Sequence, residues 1–253
     1  MLKLVKKHCP NLQYIELELS EKNIKGVKSI LAKVRSLRTV SIIASSIMGN
    51  DLGIVKLLKF QRNLKRLNLF HFCADEFIEV RNMVKLEELI ICSRSDDINL
   101  DELCNRLKKL RKLQVIGKVF TASQEFKVAP CPALRELHLQ ARITPDVLAW
   151  ILAHAETLER LKFNTRFYGY YDPNIVFSEV VSKCRNLRSL CMPIDQVNKY
   201  FIRQVIEFIS ESELTLKERP LDVSFHNPRM DHEIQKVLSK TSAKQVIALT
   251  DCF

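Results

Sequence analysis

The sequence predicts an α/β solenoid, in which short strand-plus-helix units stack so that their strands form one parallel sheet. Two observations carry this expectation. A pattern L-x-x-L-x-L, with other apolar residues allowed at its last two framework positions, recurs eight times in the 253 residues. Between its copies, apolar residues fall at three- and four-residue steps, the spacing of a single helix face.

The copies run Leu12-Ile15-Leu17, Leu37-Val40-Ile42, Leu64-Leu67-Leu69 and Leu86-Leu89-Ile91, then Leu110-Leu113-Val115, Leu134-Leu137-Leu139, Leu158-Leu161-Phe163 and Leu187-Leu190-Met192. Every framework position is apolar, and the first is always leucine. The first leucines are separated by 25, 27, 22, 24, 24, 24 and 29 residues. This framework, at a period of roughly 20 to 29 residues, defines a leucine-rich repeat. The last four residues of each motif form a strand, and period-two alternation sends its second and third apolar side chains to one face. Helical patterns follow, as in Ile24-Val27-Ile30-Leu31-Val34 and Val147-Ile151-Leu152. One such unit cannot bury its apolar face alone, so units stack, with the sheet expected on a concave wall and helices on the convex side.

The chain is therefore expected to be a single leucine-rich-repeat domain over 1–253. About eight clear repeats span 12–192, and one or two degenerate or capping repeats fill 193–253. The candidates for the latter are Val223 to Phe225 after Pro220, and Val246 to Leu249 after a helical stretch from Asp231 to Lys240. Residues 2 to 8 read as the second half of a helix feeding the first strand. The open end there is expected to be covered by a partner or by chain preceding it.

Composition excludes several classes. No apolar run approaches the roughly 18 residues of a membrane span, and no secretory leader is expected at Met1 to His8. A cytoplasmic or nuclear location follows as the expectation, with the eight cysteines as reduced thiols. No Cys/His spacing fits zinc; His71 and Cys73 lack further ligands nearby in sequence. The segment Gly49-Asn50-Asp51-Leu52-Gly53 reads as a turn followed by an Asp helix cap rather than a nucleotide loop. Glu136 and His138 share a strand face and invite an acid/base reading, but a surface pair of this kind is more often a polar binding contact. No catalytic residue, metal or cofactor is assigned, and no enzyme is expected.

A protein target fits better. The third, fifth and seventh motif positions should face the concave solvent side. The residues expected to bind there are Tyr14, Ile43, Arg66, Phe70, Glu88, Ile90, Lys112, Ile116, Glu136, His138, Arg160 and Lys162. Ile43, Phe70, Cys92 and Ile116 form an apolar stripe across four repeats, with a charged surround, the usual anatomy of an interface. The 29-residue interval after Leu158 holds Arg166, Tyr168, Tyr170 and Tyr171, residue types enriched at hot spots, in a loop expected to reach the same partner.

The net charge is +11. Acids and bases on the concave positions balance, so the excess lies elsewhere. Much of it falls late in helical stretches such as Asp101 to Lys109, where bases would complement the helix dipole. A further share lies in the second motif position, which reads Gln13, Arg38, Lys65, Glu87, Arg111, Arg135, Glu159, Arg188 along the edge where strands begin. Such a rim suits RNA or acidic partners as the alternative function. Without aromatic interleaving there, nucleic acid is disfavoured.

Cys9, Cys131 and Cys184 each stand three positions before a repeat's first leucine, as in His8-Cys9-Pro10-Asn11-Leu12 and Pro130-Cys131-Pro132-Ala133-Leu134. In this the chain resembles the cysteine-containing, ribonuclease-inhibitor-like leucine-rich repeats of F-box proteins, over residues 8 to about 225. The resemblance implies the substrate-recognition part of an SCF-type ubiquitin ligase, with scaffold docking if an F-box lies upstream; this chain holds no recognisable F-box. From the residues themselves, the three cysteines are expected to be small buried fillers of the turn before the strand.

Overall fold

Each framework motif folds as a short strand because its alternate apolar side chains find a covered face only when the next motif lies alongside. A computed structural model of the chain describes residues 9, 11–44, 52–93, 97–122, 128–164, 173–192, 221–225, 236 and 247–251. It divides into two compact units, Met1–Ser123 with Val128–Leu134, and Gln124–Lys127 with Arg135–Phe253.

In the first unit, β1 (Tyr14–Glu18), β2 (Thr39–Ile43), β3 (Arg66–Phe72) and β4 (Glu88–Ser93) lie side by side. A two-residue strand β5 (Ile98–Asn99) comes next in the chain, and β6 (Lys112–Ile116) then pairs with β4. The register is parallel from β1 to β6 and keeps one frame up to a slip after Phe70, with Ile15, Val40, Leu67, Leu89 and Leu113 in one row. A small second sheet joins β5 to β7 (Val119–Phe120). In the second unit, β8 (Glu136–Gln140), β9 (Arg160–Phe163), β10 (Ser189–Met192), β11 (Leu221–Phe225) and β12 (Ile247–Asp251) form an equally parallel run. The two weak motifs near the C-terminus therefore do supply strands. Parallel strands, helices between them and a repeating framework make this a leucine-rich-repeat solenoid.

All three framework side chains of repeats two to eight are buried, from Leu37, Val40 and Ile42 through Leu187, Leu190 and Met192. Those of the first repeat, Leu12, Ile15 and Leu17, are only partly covered, because β1 has a described neighbour on one side alone. Between strands the helices are short: Ile24–Lys33, Ile54–Leu58, Ala74–Phe77, Leu100–Cys104, Pro145–Leu152 and Pro173–Lys183. Among the described residues, two begin on side-chain caps. Asn99 accepts from the Asp101 and Glu102 amides, and Thr144 accepts from the Val147 amide ahead of Pro145. Asp51 lies outside the described residues; the helix Ile54–Leu58 starts at Gly53, whose φ of 60° is left-handed. Gly117, at φ 138°, has a second constraint, since a Cβ there would come within 3.2 Å of the Ser93 Cβ.

Most of the described turns entering a strand repeat one device, although the Leu158 amide goes to His154 instead. Three residues before the first leucine, a carbonyl accepts that leucine's amide: Gln61 from Leu64, Met83 from Leu86, Leu107 from Leu110, Cys131 from Leu134 and Cys184 from Leu187. The side chains at these positions turn inward, so Val34, Gln61, Met83, Leu107, Cys131 and Cys184 are buried. Cys131 and Cys184 thus fill the core as the sequence leads one to expect, and the Cys131 thiol lies 3.6 Å from the Cys104 carbonyl. Cys9 does not: it is exposed, and its repeat is the one with partly covered framework side chains. The expectation of reduced thiols also has an exception among the described residues, because Cys191 is disulfide-bonded while the other described cysteines are free.

Two outcomes are expected. Leu89 is fully buried in the middle of the first unit, so Leu89→Ala should cost about 2–5 kcal/mol in urea unfolding. Burial raises the Cys184 thiol to about 12, and a neighbouring hydrogen bond with Cys131, together with burial, raises Cys104 well above the ordinary range. At pH 8 a thiol of pKa 12 is ionised in roughly one molecule in ten thousand. Iodoacetamide added to native protein should therefore label Cys9 and leave Cys104 and Cys184 unmodified until denaturant is added, as read by peptide mass spectrometry.

Candidate protein-binding face

The framework side chains point into the core, so the alternate side chains of each strand occupy the opposite face of the sheet. In the first unit they fall into three rows set by the strand register. The row nearest the strand starts reads Tyr14, Thr39, Arg66, Glu88, Lys112. The middle row reads Glu16, Ser41, Asn68, Ile90, Gln114, and the far row Glu18, Ile43, Phe70, Cys92, Ile116.

The far row brings together the apolar residues that the sequence separates by more than twenty positions. Ile43, Phe70, Cys92 and Ile116 stand side by side, each partly accessible. Beyond Phe70 the strand bulges: His71 takes a left-handed φ of 65°, and the pairing slips between Phe70 and Phe72. The slip reverses the alternation, so that Phe72 is buried at 1% exposure while His71 is exposed. Phe70 therefore sits at the last regular position of its strand, held from both sides by Ile43 and Cys92.

Charge is arranged around this row as pairs. The Arg66 Nε donates to a Glu88 carboxylate oxygen at 3.0 Å, across neighbouring strands. Tyr14 donates its hydroxyl to Glu16 at 2.7 Å, and that hydrogen bond raises the phenol above its usual pKa. Exposed pairs of this kind add little to stability, so their effect is to fix side-chain direction. Ser41 departs from the expected solvent-facing set: short, and set between longer neighbours in its row, it is buried.

The second unit has its own version of the face. Glu136 and Arg160 are adjacent in the first row and form an ion pair, while His138 and Lys162 are adjacent in the next. Glu136 is thus engaged by a guanidinium, an arrangement that suits a polar contact surface. Cys191, expected on the solvent side, is buried. Arg166, Tyr168, Tyr170 and Tyr171 lie outside the described residues.

The edge where strands begin is equally regular. The carbonyl at the second motif position accepts two amides from the next repeat, as Arg38 does from Lys65 and Arg66, and Lys65 does from Glu87 and Glu88. This locks the column Gln13, Arg38, Lys65, Glu87, Arg111 in line in the first unit. Both acids of the eight-residue rim are neutralised locally: Lys65 pairs with Glu87 and Arg135 with Glu159, each at 2.7 Å. The contact lowers the Glu87 carboxyl below its usual range. The bases of the segment 101–109 are placed differently from expectation. The helix ends at Cys104, so Arg106, Lys108 and Lys109 lie beyond it, on the turn entering β6. The dipole acts within the last helical turn, and these cations belong to the edge instead. The sequence reading missed Phe60, which is 51% exposed on the neighbouring edge with Arg35 and Lys59 each 5.6 Å from its ring centre.

No family model matches the chain, and no curated protein matches it. Among solved structures, the TLR13–ssRNA13 complex is similar in fold, with a TM-score of 0.54 at 16% identity. The match covers 98% of this chain and 37% of that chain, so this chain spans well under half of its neighbour. The Rad7–Elc1 complex from yeast aligns over 96% of this chain and 81% of that one, at 14% identity. Its TM-score of 0.35 carries no argument about this chain. The first likeness supports the leucine-rich-repeat fold and nothing finer.

Proposed function

We propose that the chain is a protein-binding module and that the first unit grips its partner on the sheet face opposite the buried framework side chains, centred on Ile43, Phe70, Cys92 and Ile116. The observation that carries this is the register: four half-covered apolar side chains stand in one row beside the Arg66–Glu88 pair, with Ile90 in the row between. An apolar centre with a polar surround is how binding energy is usually concentrated. The finer reading is recognition of substrates for an SCF-type ubiquitin ligase, with the ligase scaffold engaged through a separate segment. It rests on the cysteine-bearing repeats, two of which place that cysteine in the core. A non-catalytic role is part of the same reading, supported by the engagement of Glu136 with Arg160.

The test is quantitative affinity capture with the wild-type chain and with a Phe70→Asp/Ile116→Asp variant. Both positions are partly solvent-accessible, so the circular-dichroism spectrum should not change. Proteins captured by the wild type should fall at least tenfold on the variant, and for a ligase receptor the same proteins should accumulate in cells depleted of this chain. Equal capture by both baits would refute the face; loss of capture without accumulation would refute the ligase role alone.

A further inference from the structure

The turns that enter β2, β3, β4 and β6 occupy residues 34–38, 59–65, 83–87 and 105–111. Together they carry ten Lys and Arg residues and one acid, Glu87. The single acid is occupied by Lys65, and Lys59 reaches Glu79 at 3.7 Å. Among the described residues neither Arg38 nor Arg62 is ion-paired, and both are exposed. Positive charge is thus concentrated in a band at one edge of the first unit, apart from the row Ile43, Phe70, Cys92 and Ile116.

Charge alone makes a solvated surface. What distinguishes this band is an aromatic platform built into it. Phe60 leaves half of its surface to solvent, with the Arg35 guanidinium and the Lys59 ammonium each 5.6 Å from its centroid. The platform is held by a buried amide. Gln61, the next residue, is 4% exposed, and its Nε2 donates to the Leu31 carbonyl at 2.7 Å and the Val34 carbonyl at 2.6 Å. Those two carbonyls belong to the end of the preceding repeat's helix, immediately before Arg35. One side chain therefore fastens adjacent turns together and fixes Arg35 beside Phe60. The ring is thus presented to solvent among cations.

We infer that this edge binds a single-stranded nucleic acid, with a base stacked on Phe60 and the flanking phosphates on Arg35, Arg62 and Arg38. A stacking platform inside a cationic track is the arrangement such binding uses, and it tolerates any base because every base has a π-face. Guanidinium groups match phosphate oxygens two at a time. Strands about 4.8 Å apart place the four turns over roughly 15 Å, which accommodates about four nucleotides at a 3.4 Å rise. An acidic protein segment would use the same cations but carries no base to stack on Phe60.

The test is fluorescence anisotropy of the full chain with a labelled 12-nucleotide oligouridylate and its oligodeoxythymidylate counterpart, in a salt series. Wild type should bind both, with log affinity falling linearly against log salt. Arg35→Glu/Arg62→Glu should reduce that slope by about 1.4, at roughly 0.7 per lost phosphate. Phe60→Ala should weaken binding by about 5- to 150-fold with the slope unchanged, as expected for one lost stack. Since Phe60 and Arg62 are exposed, both variants should melt within a few degrees of wild type, and Phe60→Leu supplies a second variant that keeps the apolar bulk but not the ring. Retained affinity in Phe60→Ala, or equal affinity for an oligoglutamate of the same charge, overturns the assignment. So does an effect of Phe70→Asp/Ile116→Asp on oligonucleotide binding, which would place the strand on the sheet face; the protein-binding reading is judged separately by affinity capture.

Discussion

No repeat in this chain can bury its own framework side chains, and every other feature follows from that. A single strand of four or five residues exposes its apolar face until a second strand lies in register beside it. The parallel ladder from β1 to β6 does this, and a comparable run from β8 to β12 does so in the second unit. The first repeat shows the converse. Leu12, Ile15 and Leu17 fit the framework as well as any other triplet, yet with one described neighbour they remain partly covered.

The ladder also determines what the surface can present. Because the inward side chains are fixed by burial, the outward ones fall in straight rows, and residues from different repeats become neighbours about 4.8 Å apart. Ile43, Phe70, Cys92 and Ile116 gain meaning as a group only through this alignment. The same logic orders the opposite edge, where each second-position carbonyl accepts amides from the next repeat. The amide of Gln61 tightens one such junction and so places Arg35 near Phe60.

Electrostatics separates the two surfaces. Cations on the sheet face meet carboxylates on the neighbouring strand, as Arg66 meets Glu88 and Arg160 meets Glu136. On the turns entering the first unit's strands, cations outnumber acids ten to one. One surface is suited to complementary side chains of another protein, and the other to a continuous run of negative charge.

The sequence by itself determined the repeat, its register and the direction of nearly every strand side chain, since period-two alternation and a fixed leucine position leave no freedom in either. It also placed Cys131 and Cys184 in the core, from their constant offset to the first leucine. It did not reveal that Cys9 is exposed, because burial there depends on neighbours rather than on the motif. Nor did it show that the bases after Cys104 leave the helix, because helix ends are set by the next turn's hydrogen bonds as much as by local propensity. The pairing of Phe60 with Arg35 was beyond its reach for the same reason. Twenty-five positions separate them in the chain, and only the stacking of one repeat on the next, fastened by a buried glutamine, brings ring and guanidinium together.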